Sequence, residues 1–236
     1  MTGVFLQARL ESTRLTNKAL LELGGRAVIE QAMAQLRRLP VSRHVLVTDS
    51  HSAALLRRPA ERCGFNLFVG PQENVLKRFV LAARAFQVDE IVRATGDNPL
   101  VSWELARMAI SRLRAADADY FGFDGPPLGT GVEVVRTSAL EQALRESEDP
   151  YDLEHVTPYL YGNRNLFHVL REAAPAAYCM PHARVTLDTS QDYQRLCTVY
   201  DAIYSGAPVS VIHLISYLQS AGSVEAAEEH VYSSRA

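Results

Sequence analysis

Cysteine is scarce. Cys63, Cys179 and Cys197 stand far apart and odd in number, with no C-x-x-C pair and no metal-finger spacing. That excludes a disulfide scaffold and a structural zinc site, and it matches reduced thiols in a cytoplasmic protein. No apolar run approaches the roughly 18 residues a membrane helix needs, so no membrane partner is expected. The first residues lack the basic flank and long apolar stretch of a secretory leader. Surplus positive charge is also missing: 24 Lys and Arg against 27 Asp and Glu leave a net charge of −3. A dedicated nucleic-acid surface is therefore not expected, although a local basic site is compatible with that balance. The phosphate loop G-x-x-x-x-G-K-[ST] is absent, as are repeats and low-complexity tracts.

What is present is an ordinary globular composition, 47% apolar over 236 residues, enough for one large domain with a sizeable core. Short apolar runs at 4–6, 44–48, 65–69 and 89–94 read as buried strands. Between them, stretches at 28–39, 52–62 and 74–86 carry helical spacing; Pro40 ends the first, and Pro59 bends or shortens the second. This alternation is the signature of an α/β fold with a mostly parallel central sheet. Further on, 103–116 reads as helix, 120–123 as strand, 124–131 as a Gly- and Pro-rich loop, 132–135 as strand and 138–146 as helix. Residues 151–161 read as helical with a break near Pro158, 166–170 and 184–187 as strands, and 191–204 and 208–220 as closing helices. The expected organisation is a single domain over 1–222 with a protruding insertion at about 124–184, followed by a polar tail at 223–236.

The chemistry clusters at strand ends. The first strand runs into Gln7-Ala8-Arg9-Leu10-Glu11-Ser12-Thr13-Arg14-Leu15-Thr16-Asn17-Lys18, a basic and hydroxyl-rich loop. Such a loop at the carboxyl edge of an α/β sheet suits a polyphosphate, with Arg9, Arg14 and Lys18 neutralising oxygens and Ser12 adding a hydrogen bond. The plainer alternative is a solvated basic loop. The fourth strand runs into Thr95-Gly96-Asp97-Asn98-Pro99, and the run at 184–187 ends at Asp188. Two carboxylates at strand ends facing a basic loop suit Mg²⁺ bridging to phosphate oxygens. Taken singly, Asp97 also reads as a turn residue and Asp188 as a helix cap. Asp192 is placed one helical turn beyond Asp188.

Together these motifs resemble the sugar cytidylyltransferases, the group that includes the CMP-KDO and acylneuraminate synthetases. The branch most similar in pattern is that of spore-coat polysaccharide biosynthesis. Gln7-Ala8-Arg9 through Lys18 resembles the group's nucleotide signature, 93–100 its second signature and 184–193 its late acidic motif. Segments 70–79 and 154–161 resemble the spore-coat branch, and the likeness spans about residues 4–204. The resemblance implies a Rossmann-like, glycosyltransferase-A-like nucleotidyltransferase that transfers CMP from CTP to a sugar, sugar acid or sugar phosphate, releases pyrophosphate, and serves surface polysaccharide synthesis. It implies Lys18, Arg9 and Asp97 as catalytic residues. Gln7, Ala8, Arg9, Ser12, Arg14, Lys18, Thr95 and Gly96 would bind the nucleotide, and Asp97 and Asp188 would hold Mg²⁺. Glu133, His155 and Arg78 are acceptor candidates, and a homodimer using 155–161 is expected. Two departures stand out: Thr16 and Asn17 replace the usual Pro and frequent Gly, and Asn74 stands where the branch commonly has Asp. The alternatives are a glycosyltransferase that uses a nucleotide-sugar, for which no D-x-D stands at a strand end, and a non-catalytic nucleotide-binding module.

Overall fold

The structure is a computed structural model, and it describes residues 1–11 and 14–222. Ser12, Thr13 and the expected tail at 223–236 lie outside the described residues.

The chain opens with strand β1 (Thr2–Gln7), whose Val4, Phe5 and Leu6 are all fully buried. A short hairpin of β2 (Glu22–Leu23) and β3 (Arg26–Ala27) turns at Gly24 and Gly25, both in the left-handed region. Helix α1 (Val28–Leu36) follows, with the Glu30 carboxylate accepting from the Ala27 N–H at 3.0 Å. Next come β4 (Arg43–Thr48), α2 (Ser50–Arg62), β5 (Asn66–Val69), α3 (Val75–Phe86) and β6 (Glu90–Thr95). Side chains cap these helices: Asp49 accepts from Ser52 N–H at 2.8 Å, and Asn74 accepts from Lys77 N–H at 2.7 Å. Asn caps a helix as well as Asp does, so Asn74 fits its position. Pro59 does not end α2, which runs on to Arg62.

The second half contains α4 (Trp103–Ala115), β7 (Tyr120–Asp124), β8 (Glu133–Arg136) and α5 (Thr137–Glu146). After them come α6 (Pro150–His155), α7 (Pro158–Gly162), β9 (Val169–Ala173), α8 (Ser190–Ile203) and α9 (Val211–Ser220). The expected helix over 151–161 is split because Val156 sits at φ 76° and Pro158 cannot extend the preceding turn. The strand expected at 166–170 starts later, since Leu166 and Phe167 N–H both donate to the Asn163 carbonyl in a turn.

One sheet of seven strands, ordered β5-β4-β1-β6-β8-β7-β9, carries the fold. β5, β4, β1 and β6 are mutually parallel, which brings their carboxyl ends to one edge. β8 runs antiparallel to both β6 and β7, while β7 and β9 are parallel. Both faces are covered, as a parallel sheet requires. Val4 and Leu6 pack with Ile29, Met33 and Leu36 of α1, and Phe5 packs on the other face with Leu76 and Phe79 of α3. Residues 124–184 supply β8 and β9 to the main sheet, so this stretch is woven into the domain. Val156 and Leu160 are fully buried in the α3 face, leaving Tyr151 and Leu166 as the exposed large apolar side chains nearby. Among the described residues no helix is long and apolar enough to cross a membrane.

The run at 184–187 is not a strand; Arg184 makes only an isolated bridge to Leu128. Val185 and Leu187 are buried against α8 and α9, which explains the apolar alternation without a ladder. Asp188 therefore does not follow a strand. It reaches the sheet edge because Leu187 N–H donates to the Asp97 carbonyl at 3.0 Å.

Candidate active site

A cleft of about 390 Å³ opens at the carboxyl edge of β1 and β6. Its floor is Gln7, Ala8, Thr95 and Gly96, and the loop after β1 adds Arg9, Glu11, Arg14 and Lys18. Asp97 and Asp188 also line it, as do Glu154 and His155 at the end of α6.

The local chain path follows from backbone constraints. Gly96 N–H donates to the Gln7 carbonyl at 2.8 Å, and a Cβ on Gly96 would come within 3.0 Å of the Ala8 Cβ. A Cβ there would also crowd Ile29, so a larger residue would force Ala8 and Ile29 to give by a few tenths of an ångström. Leu10 N–H donates to Ser52 Oγ at 2.9 Å, tying the loop to α2. Asn17 has φ 54° and ψ 27°, the left-handed conformation that glycine takes freely and asparagine tolerates best among the rest. The replacement of glycine by Asn17 thus keeps the turn that delivers Lys18.

Lys18 is the centre of the site. Its Nζ donates to Asp97 Oδ2 at 2.8 Å, Asp188 Oδ1 at 2.9 Å and the Leu187 carbonyl at 2.7 Å. Burial works to lower the ammonium's pKa, but Asp97 and Asp188 outweigh it and hold the pKa above its ordinary value. Burial likewise works to raise the Asp188 carboxyl, and Lys18, Arg14 and Arg184 hold it below the usual range. Arg184 reaches Asp188 Oδ2 at 2.6 Å, and Arg14 reaches Oδ1 at 3.5 Å. Asp188 itself is not the helix cap; Thr189 is, with Asp192 completing a reciprocal box. Asp192 Oδ2 also accepts from the backbone N–H groups of Asp188 and Thr189, at 3.0 and 2.8 Å, which holds the loop carrying Asp188.

Arg93, on β6, lines the cleft and is ion-paired with Glu133. Its guanidinium also donates to Gln7 Oε1 at 3.3 Å, which leaves the Gln7 amide NH₂ available to donate elsewhere. Glu133 Oε1 accepts from Tyr120 Oη at 2.8 Å and Thr157 Oγ1 at 2.9 Å. Glu133 is thus an anchor for Arg93 behind the cleft, and it is not among the lining residues. Nor is Arg78, a buried α3 side chain that donates to the Pro71 and Gln72 carbonyls at 2.7 Å each. His155 does line the cleft, with Tyr151 against its ring at 4.3 Å. Burial holds the His155 imidazole below its ordinary pKa, with Glu154 opposing and Arg93 and Arg9 adding to it.

The structure thus gathers Gln7, Ala8, Arg9, Arg14, Lys18, Thr95, Gly96, Asp97, Asp188 and His155 in one place. Sequence reasoning missed Arg93 and Glu154 as lining residues. A charged residue inside a strand was a signal for Arg93; an exposed helical glutamate carries none. Among the described residues no group of three or more His, Cys, Asp and Glu side chains is arranged to hold a metal. Asp97 and Asp188 share the Lys18 ammonium, so the two carboxylates lie side by side. That donor set fits an ion completed by ligand phosphates and water, and not a site built from protein alone.

A family model described as cytidylyltransferase matches residues 4–206. The spore coat polysaccharide biosynthesis protein SpsF of Bacillus subtilis (strain 168) is 32% identical over 221 residues, covering 90% of this chain and 92% of that protein. The 3-deoxy-manno-octulosonate cytidylyltransferase of Chlorobium phaeovibrioides (strain DSM 265 / 1930) is 29% identical over 185 residues, 76% of this chain and 70% of that one. Among solved structures, a cytidylyltransferase from Leptospira borgpetersenii serovar Hardjo-bovis (strain JB197) superposes with a TM-score of 0.87 at 25% identity, covering 94% of this chain and 95% of that one.

Proposed function

The chain belongs to the cytidylyltransferase family, and from that premise we propose that it transfers CMP from CTP to a sugar-like acceptor with release of pyrophosphate, in polysaccharide synthesis. The observation that carries this reading is the convergence of Lys18, Asp97 and Asp188 in a cleft floored by the loop after β1.

Gln7 and the neighbouring backbone meet the cytosine ring, the Gln7 amide NH₂ donating to a ring acceptor while Arg93 holds its carbonyl oxygen. Arg9 and Arg14 bind the outer phosphates, and Ser12 adds a hydroxyl. Lys18 leaves its carboxylates for the α-phosphate and the departing pyrophosphate. The acceptor oxygen forms the new bond to the α-phosphorus in line with the breaking bond to the bridging oxygen. Pyrophosphate departs with that electron pair, and the acceptor's proton passes to solvent. Such a reaction needs positioning and charge neutralisation more than a covalent nucleophile. Asp97 and Asp188 would hold Mg²⁺, which when bound supplies positive charge to the phosphate oxygens.

The test is pyrophosphate release from CTP and Mg²⁺ against a panel of sugars, sugar acids and sugar phosphates by wild type, Asp97→Asn and Asp188→Asn, alongside thermal unfolding. Each variant is expected to stay folded and to lose roughly a hundredfold or more in turnover. Near-wild-type turnover in a folded variant refutes the assignment.

A further inference from the structure

Arg93 differs from the other cations of the cleft in what it holds. Among the described lining residues, Arg9 pairs with Glu154 at 2.7 Å, Arg14 with Asp188 at 3.5 Å, and Lys18 with Asp97 and Asp188. Each of these meets a carboxylate that itself lines the cleft. Arg93 instead meets Glu133 behind the cleft, and turns its other Nη to the side-chain oxygen of Gln7. Arg93 and Glu133 are register partners across β6 and β8. Arg93 is also paired with Phe5 of β1, and Gln7, two residues on, shares that sheet face.

The arginine is braced from behind. Both oxygens of Glu133 are engaged: Oε2 holds Arg93, and Oε1 accepts from the buried hydroxyls of Tyr120 and Thr157. Thr157 arrives there through a strained turn. Val156 has φ 76° and ψ −51°, and Thr157 N–H donates to the His155 carbonyl at 3.0 Å, which is the rare form of the three-residue turn. A β-branched residue keeps such a conformation only where its surroundings over-determine it. Here Val156 is fully buried and the next residue is bonded to Glu133.

The consequence is a fixed orientation for Gln7. A guanidinium only donates, so only the oxygen end of the Gln7 amide can face Arg93. The NH₂ end is left to the cleft, where Gln7 is the one side-chain amide among the described lining residues. Bases are told apart by the order of donors and acceptors along an edge. O2 accepts in both pyrimidines, but N3 is an acceptor in cytosine and an N–H donor in uracil. An NH₂ directed at N3 bonds cytosine; against uracil two donors meet and both stay unpaired.

We infer that Arg93 is a positioning residue: held by Glu133, it fixes Gln7 with its NH₂ towards the base and so selects cytosine over uracil in the nucleotide. This rests on the nucleotide-transfer reading above, in which Gln7 meets the base.

The test is calorimetric titration of CTP and of UTP, each with Mg²⁺, at pH 8. The proteins are wild type, Gln7→Glu and the double variant Arg93→Met/Glu133→Gln, with thermal unfolding alongside. The double variant removes both charges together, so neither is left unpaired, and the new amide keeps an oxygen for the Tyr120 and Thr157 hydroxyls. Wild type is expected to prefer CTP by about tenfold or more. In the double variant Gln7 can turn either end to the base, and the preference falls to about threefold or less. Gln7→Glu leaves the ion pair in place and supplies an ionised carboxylate, which only accepts. One oxygen stays on Arg93, the other takes the uracil N3–H, and UTP binds more tightly than CTP. A merely structural role for Arg93 would weaken both nucleotides alike. A wild-type ratio in the folded double variant, or in Gln7→Glu, overturns the inference and leaves the transfer reading standing. Wild type that binds UTP as tightly as CTP overturns it too. If the double variant is unfolded, the ratio in Gln7→Glu decides. Failure of wild type to bind CTP refutes the nucleotide reading itself, and the inference falls with it.

Discussion

Replacing Lys18 with methionine keeps the apolar stem and removes the ammonium that joins Asp97 to Asp188. The two acceptor oxygens lie 2.8 and 2.9 Å from one nitrogen, so they are no more than about 5.7 Å apart, the sum of those distances. At an effective dielectric of about 20, two bare charges about 5 Å apart repel by about 3 kcal/mol. Arg184 and Arg14 remain on Asp188 and offset part of that. The net loss of stability at neutral pH should be about 2 kcal/mol, or about 4–8 °C in Tm for a chain of this size. The variant also exposes two adjacent carboxylates to any hard cation. Millimolar Mg²⁺ or Mn²⁺, added without nucleotide, should restore most of the lost Tm in Lys18→Met. In wild type the ammonium already sits between the carboxylates, and the same additions should leave Tm nearly unchanged. Differential scanning fluorimetry of both proteins, with and without metal, is the assay. A variant as stable as wild type, or one that ignores divalent cations, refutes the view that Lys18 neutralises this pair.

Two further outcomes follow from buried polar groups. His44 is buried on β4; burial first and Arg37 second push its pKa down to about 4, against an unfolded value near 6.5. Its contribution to stability is therefore complete above the unfolded value and lost as pH falls from 6.5 towards 4, up to about 3 kcal/mol. Urea unfolding at neutral and acid pH should show His44→Gln losing less stability on acidification than wild type, and equal losses contradict this. Asp192→Ala removes the box that starts α8 and the bonds that hold the Asp188 backbone. It should cost about 2 kcal/mol and lower kcat by about tenfold, less than Asp188→Asn, as read by unfolding and pyrophosphate release; unchanged kcat would mean that the loop is held by other contacts.

β1, β4, β5 and β6 and the helices between them were legible because parallel strands with both faces covered read as short apolar runs such as Val4-Phe5-Leu6. The direction of β8 was not, since alternation along a strand carries no record of which way its neighbour runs. Lys18 and Asp97 were legible as strand-end residues. Asp188 was reached by a faulty premise: residues 184–187 alternate because Val185 and Leu187 bury against α8 and α9, not because they pair in a sheet. Glu133 stood as an acceptor candidate with pairing to a basic neighbour as its alternative, and Arg78 stood as a candidate beside it. In the fold, each satisfies neighbours of its own. Glu154 was invisible because a glutamate on a short helix reads as solvated until Arg9 is found opposite it.

The central claim is that the cleft reads cytosine and binds its triphosphate through Arg9, Arg14 and Lys18. Calorimetric titration of the four ribonucleoside triphosphates with Mg²⁺ into wild type tests it most directly. CTP should bind most tightly, and Lys18→Met should weaken CTP by about tenfold or more. ATP or GTP binding as tightly as CTP, or CTP affinity indifferent to the loss of Lys18, contradicts the account.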